Sequence, residues 1–274
     1  MTMLPDQLRN TFIAAIIPGG VLVAWLLLTK FQCLPEYLLP SPFSVLLSFR
    51  ELICGSDSAG PFSGTFVKHA TASVARVGVG FLLAAIIGTP IGILSGRSAR
   101  IAALIDPFVQ LIRSVPGIAW LPLAMIWFGI GTTTTVFLIV LAAFFPVYVN
   151  TFHGARNIPP RWVQAARMLG ASRTSVLFRV VLPGAMPSIE SGLRLALGIS
   201  WAYVVLGELT GVNEGLGAMI MDARMLGDVR LTIVGIISIA VLGRISDLLL
   251  LAVLRFVPGH SPAFTQRQLS RGVL

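Results

Sequence analysis

Six apolar stretches, at approximately residues 11–29, 70–95, 103–128, 132–152, 189–210 and 229–254, limit what this chain can fold into. Each is near or above the ~20 residues a helix needs to cross the hydrocarbon layer. In lipid every backbone N–H and C=O must find its partner within the segment, which makes helix the default. A transmembrane β-barrel would need alternating segments of ~10 residues, and none appears. Composition agrees, because 55% of the 274 residues are hydrophobic and 11% are charged, against roughly 25% charged in a soluble domain. The predicted class is an all-α membrane protein with six transmembrane helices. The run from Thr11 to Leu28 is too long for a typical signal sequence and no small-residue cleavage site follows it, so it reads as a retained first span.

The formal net charge is +9, from 20 Lys+Arg against 11 Asp+Glu. In a soluble protein that excess suggests nucleic acid; here it follows from loops that collect Lys and Arg on the cytoplasmic side, and no nucleic-acid partner is expected. With the N-terminus inside, the inner loops hold Arg97, Arg100, Arg156, Arg161, Arg167, Arg173 and Arg179, and the tail holds Arg255, Arg267 and Arg271. The outer loops hold Lys30, Arg50, Lys68, Arg224 and Arg230, nearly balanced by six carboxylates. That asymmetry predicts N-in, C-in. The expected organisation is 1–69, a first span and extracytoplasmic segment; 70–254, a five-span core with a cytoplasmic loop at 153–188; and 255–274, a cytoplasmic tail.

Within 1–69, Ser41 as N-cap and Pro42 at the first helical position predict a short helix over 41–52. Its apolar set Phe43, Leu46, Leu47 and Ile53 places it at the outer membrane interface. Cys33 and Cys54 share this polar segment; two cysteines make no disulfide framework and fit no zinc signature, so their pairing stays open.

The second span carries Gly80, Ala84, Gly88, Gly92 and Gly96, each four apart and therefore on one helix face. A face without side chains lets another backbone approach closely, which is how helices associate in lipid. Gly192, Ala196 and Ser200 repeat the pattern in the fifth span, as do Gly207 and Gly211 at its end. The third span contains Pro107, Pro116 and Pro122 plus Gly117, and is expected to bend or unwind near 115–122. Broken helices at membrane depth persist only where protein or a water-filled cavity covers them. Arg113 lies inside this span, where a charge costs at least ~2.5 kcal/mol. It either snorkels, pairs with Asp106, or lines a polar pathway. Pro116, Trp120, Trp127 and Tyr203 are further pathway candidates. Glu208, at the outer end of span five, is an interfacial charge or part of a gate. Arg244 and Asp247, three apart in the last span, are expected to pair.

No catalytic constellation appears. His69, His153 and His260 lie far apart in this topology, and HExxH and GxSxG are absent, so neither enzyme chemistry nor a metal site is expected. There is no GxxxxGK[ST], so any ATP hydrolysis belongs to another chain. Neither the spaced arginines of a voltage sensor nor a TVGYG filter is present.

The loop 153–188 interrupts the apolar pattern. Its centre, 159-PPRWVQAARMLGAS-172, reads as a helix begun after two prolines and stopped at Gly170, with a restart through 173-RTSVLFRVVLP-183 that ends at Pro183. Trp162, Ala165, Ala166 and Leu169 fall on one side. Physics alone leaves two roles open, docking of a partner protein and binding of anionic lipid through the arginines.

The pattern 164-QAARMLG-170, followed after nine residues by 180-VVLP-183, resembles the EAA motif of permease subunits of binding-protein-dependent ABC importers. Ala165, Ala166, Gly170, Leu182 and Pro183 match; Gln164 replaces the motif's Glu and Val180 its Ile. The stretches 38-LLPSPFSVL-46, 113-RSVPGIAWLPLAMIWFGIG-131, 183-PGAMPSIESGLRLALGISWAYVVLGEL-209 and 215-GLG-217 resemble the taurine, alkanesulfonate and nitrate branch, the taurine and sulfonate permeases most. The resemblance implies a type I importer permease fold in the inner (plasma) membrane, a second permease copy as a homodimer, two ATPase subunits, and an extracytoplasmic substrate-binding protein. This chain would bind no cofactor, ATP and Mg²⁺ being held by the ATPase. The coupling helix would present Trp162, Gln164, Ala165, Ala166, Arg167, Leu169, Gly170, Ala171 and Ser172 to the ATPase, and a small organic anion would cross by alternating access. Nitrate or another small solute is the alternative cargo. A secondary carrier or channel is the rival class, and it would need an internal repeat, of which no convincing one is seen. A membrane anchor would not need the broken third span.

Overall fold

The computed structural model describes residues 6–32, 34–55 and 62–256, with side chains from residue 16 onward. The described chain is helical throughout its ordered elements: α1 (Asp6–Lys30), α2 (Pro42–Cys54), α3 (Phe66–Arg97), α4 (Ala99–Ser114), α5 (Leu121–Phe128), α6 (Thr132–Arg156), α7 (Pro160–Met168), α8 (Arg173–Val176), α9 (Leu182–Glu208), α10 (Leu216–Met225) and α11 (Val229–Leu254). Among the described residues α3, α6, the continuous helix Arg173–Glu208 and α11 are long and apolar enough to cross a membrane. The pair α4 and α5, bent by 86° at its break, makes a fifth candidate, while the described apolar part of α1, Ile16–Lys30, falls short of that length.

The chain forms two compact units, Met1–His69 with Met219–Ser238, and Ala70–Ala218 with Ile239–Leu274. In the first, α2 begins as its sequence dictates. The Ser41 hydroxyl accepts from Ser44 N–H at 3.2 Å, and Pro42 occupies the first helical position, where its missing N–H costs nothing. Val45 and Leu52 are buried, whereas Phe43, Leu46, Leu47 and Ile53 stay exposed as an apolar face. Trp25 Nε1 donates to the Pro40 carbonyl at 3.0 Å and ties the preceding segment to α1. Cys54 is exposed at the end of α2; Cys33, its conceivable partner, lies outside the described residues. The charged tail residues Arg267 and Arg271 and His260 also lie outside them.

The core of the second unit is built on α6, with α3 and α9 against it. The small-residue face of α3 lies on α6: a Cβ on Gly92 would sit 2.8 Å from Thr151 Cβ, and one on Gly96 would sit 2.6 Å from the Phe152 carbonyl oxygen. Ala84 is fully buried between the same helices. On the other side, a Cβ on Gly192 would lie 2.7 Å from Asn150 Cβ and 2.9 Å from Pro146 O. Ala196 and Ser200 continue that buried face of α9. Lipid tails give no hydrophobic drive for helices to associate. The close backbone approach allowed by these small residues therefore supplies the dispersion contact that holds the three helices together.

Two features depart from the sequence expectation. The helix restarted at Arg173 does not end at Pro183. It runs to Glu208 because a π-type turn over Leu177–Val181, closed by Leu182 N–H donating to Leu177 O, takes up the register just before the proline. Pro183 then sits at the start of α9, where a missing N–H is tolerated. The helix α10 was not anticipated either, its apolar stretch being only ten residues long.

Candidate functional site

Three clusters in the second unit hold the chain's informative residues. The first is the α7 loop. Here α7 ends in a Schellman cap: Gly170 adopts φ +80°, its N–H donates to Arg167 O at 2.9 Å, and Ala171 N–H donates to Ala166 O at 3.0 Å. Ser172 caps the next turn through its hydroxyl, which accepts from Ser175 N–H at 3.2 Å. The loop is pinned from beneath by Val163, Ile158, Ala155, Val176 and Val181, a buried apolar cluster against which Ala166 and Ala171 pack. Trp162, Gln164, Ala165, Arg167 and Leu169 are exposed, Leu169 at 88%. Ala166, on the same side, is half-buried and also packs on the chain's own cluster. The result is a short, rigid, apolar-tipped ledge carried between α6 and α9.

The second cluster is the break between α4 and α5. The chain leaves helix at Val115, extends at Pro116, and turns through a 3₁₀ segment Gly117–Trp120 before α5. A proline at 116 disfavours helical geometry at Val115. Gly117 is required by proximity, because a side chain there would overlap the Tyr203 ring of α9. Gly117, next to Pro116, is thus brought against Tyr203, whereas Trp127 packs edge-on against Phe128 and Phe137, 6.2 Å away. Trp120 is half-buried, and Arg113 is exposed one turn before the break. Asp106 does not pair with Arg113; it accepts from Tyr148 Oη at 3.1 Å.

The third cluster surrounds Glu208, which is 1% exposed. Arg76 Nη1 donates to Glu208 Oε1 at 2.6 Å and to Glu214 O at 2.6 Å, while Arg76 Nε donates to Thr132 Oγ1 at 3.2 Å. Ser73 Oγ lies 2.8 Å from both carboxylate oxygens. Gly217 N–H donates to Glu208 Oε2 at 2.9 Å, and Leu216 N–H to Ser73 Oγ at 2.9 Å. Gly215, at φ +141°, leaves room for the carboxylate. Glu208 is therefore an anchor that folds 209–217 back onto α3. A buried ion pair needs its remaining polar atoms answered, and here both carboxylate oxygens and Arg76 Nε and Nη1 have partners.

Sequence reasoning missed Arg76, although a charge near the start of an apolar span is itself a signal. It missed Ser73, which carries no signal. It also missed Arg194, which donates to Asp247 twice, at 2.8 and 3.1 Å; Arg244 joins the same carboxylate at 2.9 Å, as its spacing predicts. Among the described residues no group of three His, Cys, Asp or Glu is placed to hold a metal.

Known proteins place these features in one family. Residues 88–257 match the family model described as binding-protein-dependent transport system inner membrane component. The putative aliphatic sulfonates transport permease protein SsuC of Bacillus subtilis is 38% identical over 85% of this chain and 81% of its own length. The taurine transport system permease protein TauC of Escherichia coli is 36% identical over 88% of this chain and 86% of its own. In structure, the chain is similar to an inward-facing form of the MetNI methionine ABC transporter, with TM-score 0.64 and 19% identity over 72% of this chain and 98% of that one. That likeness shows the fold, the one expected of a type I importer permease. A chain whose described elements are helical, with several candidate spans, and which such relatives match over most of its length, belongs to the binding-protein-dependent ABC importer permeases, multi-pass components of the inner membrane.

Proposed function

We infer that this permease carries a small organic anion of the taurine or sulfonate type, driven by two ATPase subunits that grip the α7 ledge. The observation carrying the reading is that ledge: a capped helix with an exposed apolar tip, rooted in a buried cluster shared with the end of α6 and the start of the Arg173–Glu208 helix. A tip rooted in this way passes displacement into two core helices as rigid-body motion. ATP and Mg²⁺ stay on the ATPase. Closure of the ATPase dimer would draw together the α7 ledges of two permease copies in a homodimer. The copies, six-span and N-in/C-in, would then open to a docked extracytoplasmic binding protein. Arg113, Pro116, Trp120 and Tyr203 around the α4–α5 break are the pathway candidates, since a broken helix at membrane depth is stable only against protein or water. The exposed guanidinium of Arg113 suits an anionic cargo. Relatives named for sulfonates, taurine, bicarbonate and nitrate support an anion and leave its identity among them.

Leu169→Asp tests the lever without touching the fold, since Leu169 is exposed, whereas a charge at Ala166 would disturb the cluster beneath. The expected outcome is wild-type membrane abundance with binding-protein-stimulated ATPase reduced about tenfold or more. Full stimulation in that variant would remove α7 as the coupling element. Gln164→Glu, which restores the acidic residue of the EAA motif, is expected to leave transport intact.

A further inference from the structure

Two adjoining cavities open between α4 and the last turns of α6, at the end from which the α7 loop emerges. One, of about 520 Å³, is bordered by Ser95, Gly96 and Arg97; the other, of about 490 Å³, by Arg113, Ser114 and His153; both share Asp106, Gln110 and Arg156. Three guanidinium groups therefore border one cleft. None of them forms an ion pair among the described residues. Arg156 lies 5.5 Å from the Phe152 ring centroid, which positions it without neutralising it. The lining also holds one carboxylate, Asp106, which accepts from Tyr148 Oη through Oδ1 and forms no ion pair with these arginines. Ser95, in the wall of the first cavity, is 2% exposed and lies beside Tyr148, whose hydroxyl donates to Asp106. Charge asymmetry between the two sides of a membrane places arginines at the inner ends of spans, as at Arg97 and Arg156; it does not dictate that Arg113, within α4, borders the same cavity as Arg156.

We propose that this cleft is an oxyanion site, taking a small group with a sulfonate-, nitrate- or carbonate-type head. Arg113 and Arg156 supply the charge-assisted donors, and Gln110 and Ser95 supply the neutral ones. The biological ligand rests on the importer reading, in which the site holds cargo at the α7 end of the pathway. A lipid phosphate offers the same chemistry from another source.

The test uses the full chain with Cys33→Ser, Cys54→Ser and Ala103→Cys, in phosphatidylcholine nanodiscs, and follows the labelling rate of the cleft cysteine by a neutral maleimide. Methanesulfonate, nitrate and bicarbonate, at constant ionic strength, are expected to slow labelling saturably. Arg113→Gln and Arg156→Gln are each expected to raise the midpoint about tenfold, and Ser95→Ala and Gln110→Ala about threefold without a change of charge. In discs containing phosphatidylglycerol, slow labelling without added anion, relieved by the same variants, supports the site and assigns it to lipid phosphate. Labelling unaffected by every anion in both discs, or affected equally in wild type and all four variants, overturns the proposal. Import by the assembled transporter is measured alongside. Import without protection removes the cleft and leaves the importer reading; protection without import does the reverse.

Discussion

The helix from Arg173 to Glu208 has 36 residues, about 54 Å at 1.5 Å per residue, and its two ends meet polar chemistry of opposite kinds. At the Glu208 end a buried network holds the chain to itself: carboxylate, guanidinium, hydroxyl and two backbone N–H groups close on one another. At the Arg173 end, the arginines, Gln164 and the apolar tip at Leu169 stand exposed above a small buried cluster. The difference teaches where each end's energy lies. The first is held by interactions within the chain, and its loss is read as instability. The second is held only at its base, so its exposed tip adds little to the chain's own stability.

The largest expected effect breaks the closed end. Glu208→Ala leaves Arg76 buried without a counter-charge, and removal of one partner of such a pair costs about 3–5 kcal/mol. The thermal midpoint in detergent should fall steeply. The double variant Arg76→Met/Glu208→Leu, which removes both charges, should recover most of that loss; a double variant as unstable as the single would show that the network is held by something other than the pair. Next, Gly92→Leu drives a side chain into Thr151 and the Tyr148 carbonyl, and overpacking of this kind costs about 1–3 kcal/mol. Unfolding in denaturing detergent checks it, and an unchanged midpoint would mean that α3 and α6 can slide apart. Smaller still is Gly170→Val, which forces a β-branched residue into the left-handed region at about 1–2 kcal/mol. Its effect should appear as faster amide exchange in α7 with the rest of the unit protected. The smallest effect on stability belongs to Leu169→Asp, which should leave the thermal midpoint in place while uncoupling the ATPase. A large loss of stability from that change would erase the contrast between the two ends.

Much of the fold is legible in the sequence because membrane helices announce themselves by length and apolarity, which are local properties. The kink at Pro116, the cap at Gly170 and the N-cap at Ser41 were legible for the same reason, each being a constraint that one residue imposes on its own backbone. The glycine row of α3 could be read as a face, but not as a face against α6. The anchor was beyond reach: Arg76 and Glu208 are 132 residues apart, and no local pattern pairs them. Pro183 misled because a proline normally ends a helix, and a π-type turn just before it absorbed the misfit.

The sequence by itself determined the solvent in which this protein folds, its long apolar helices, and the short element capped at Gly170, since all of these follow from the burial preference and backbone geometry of neighbouring residues. Only the tertiary structure decided which helix faces meet, which carboxylate answers which arginine, and which arginines are left facing an open cleft. Those outcomes depend on distances between residues far apart in the chain, and they are fixed when the helices pack.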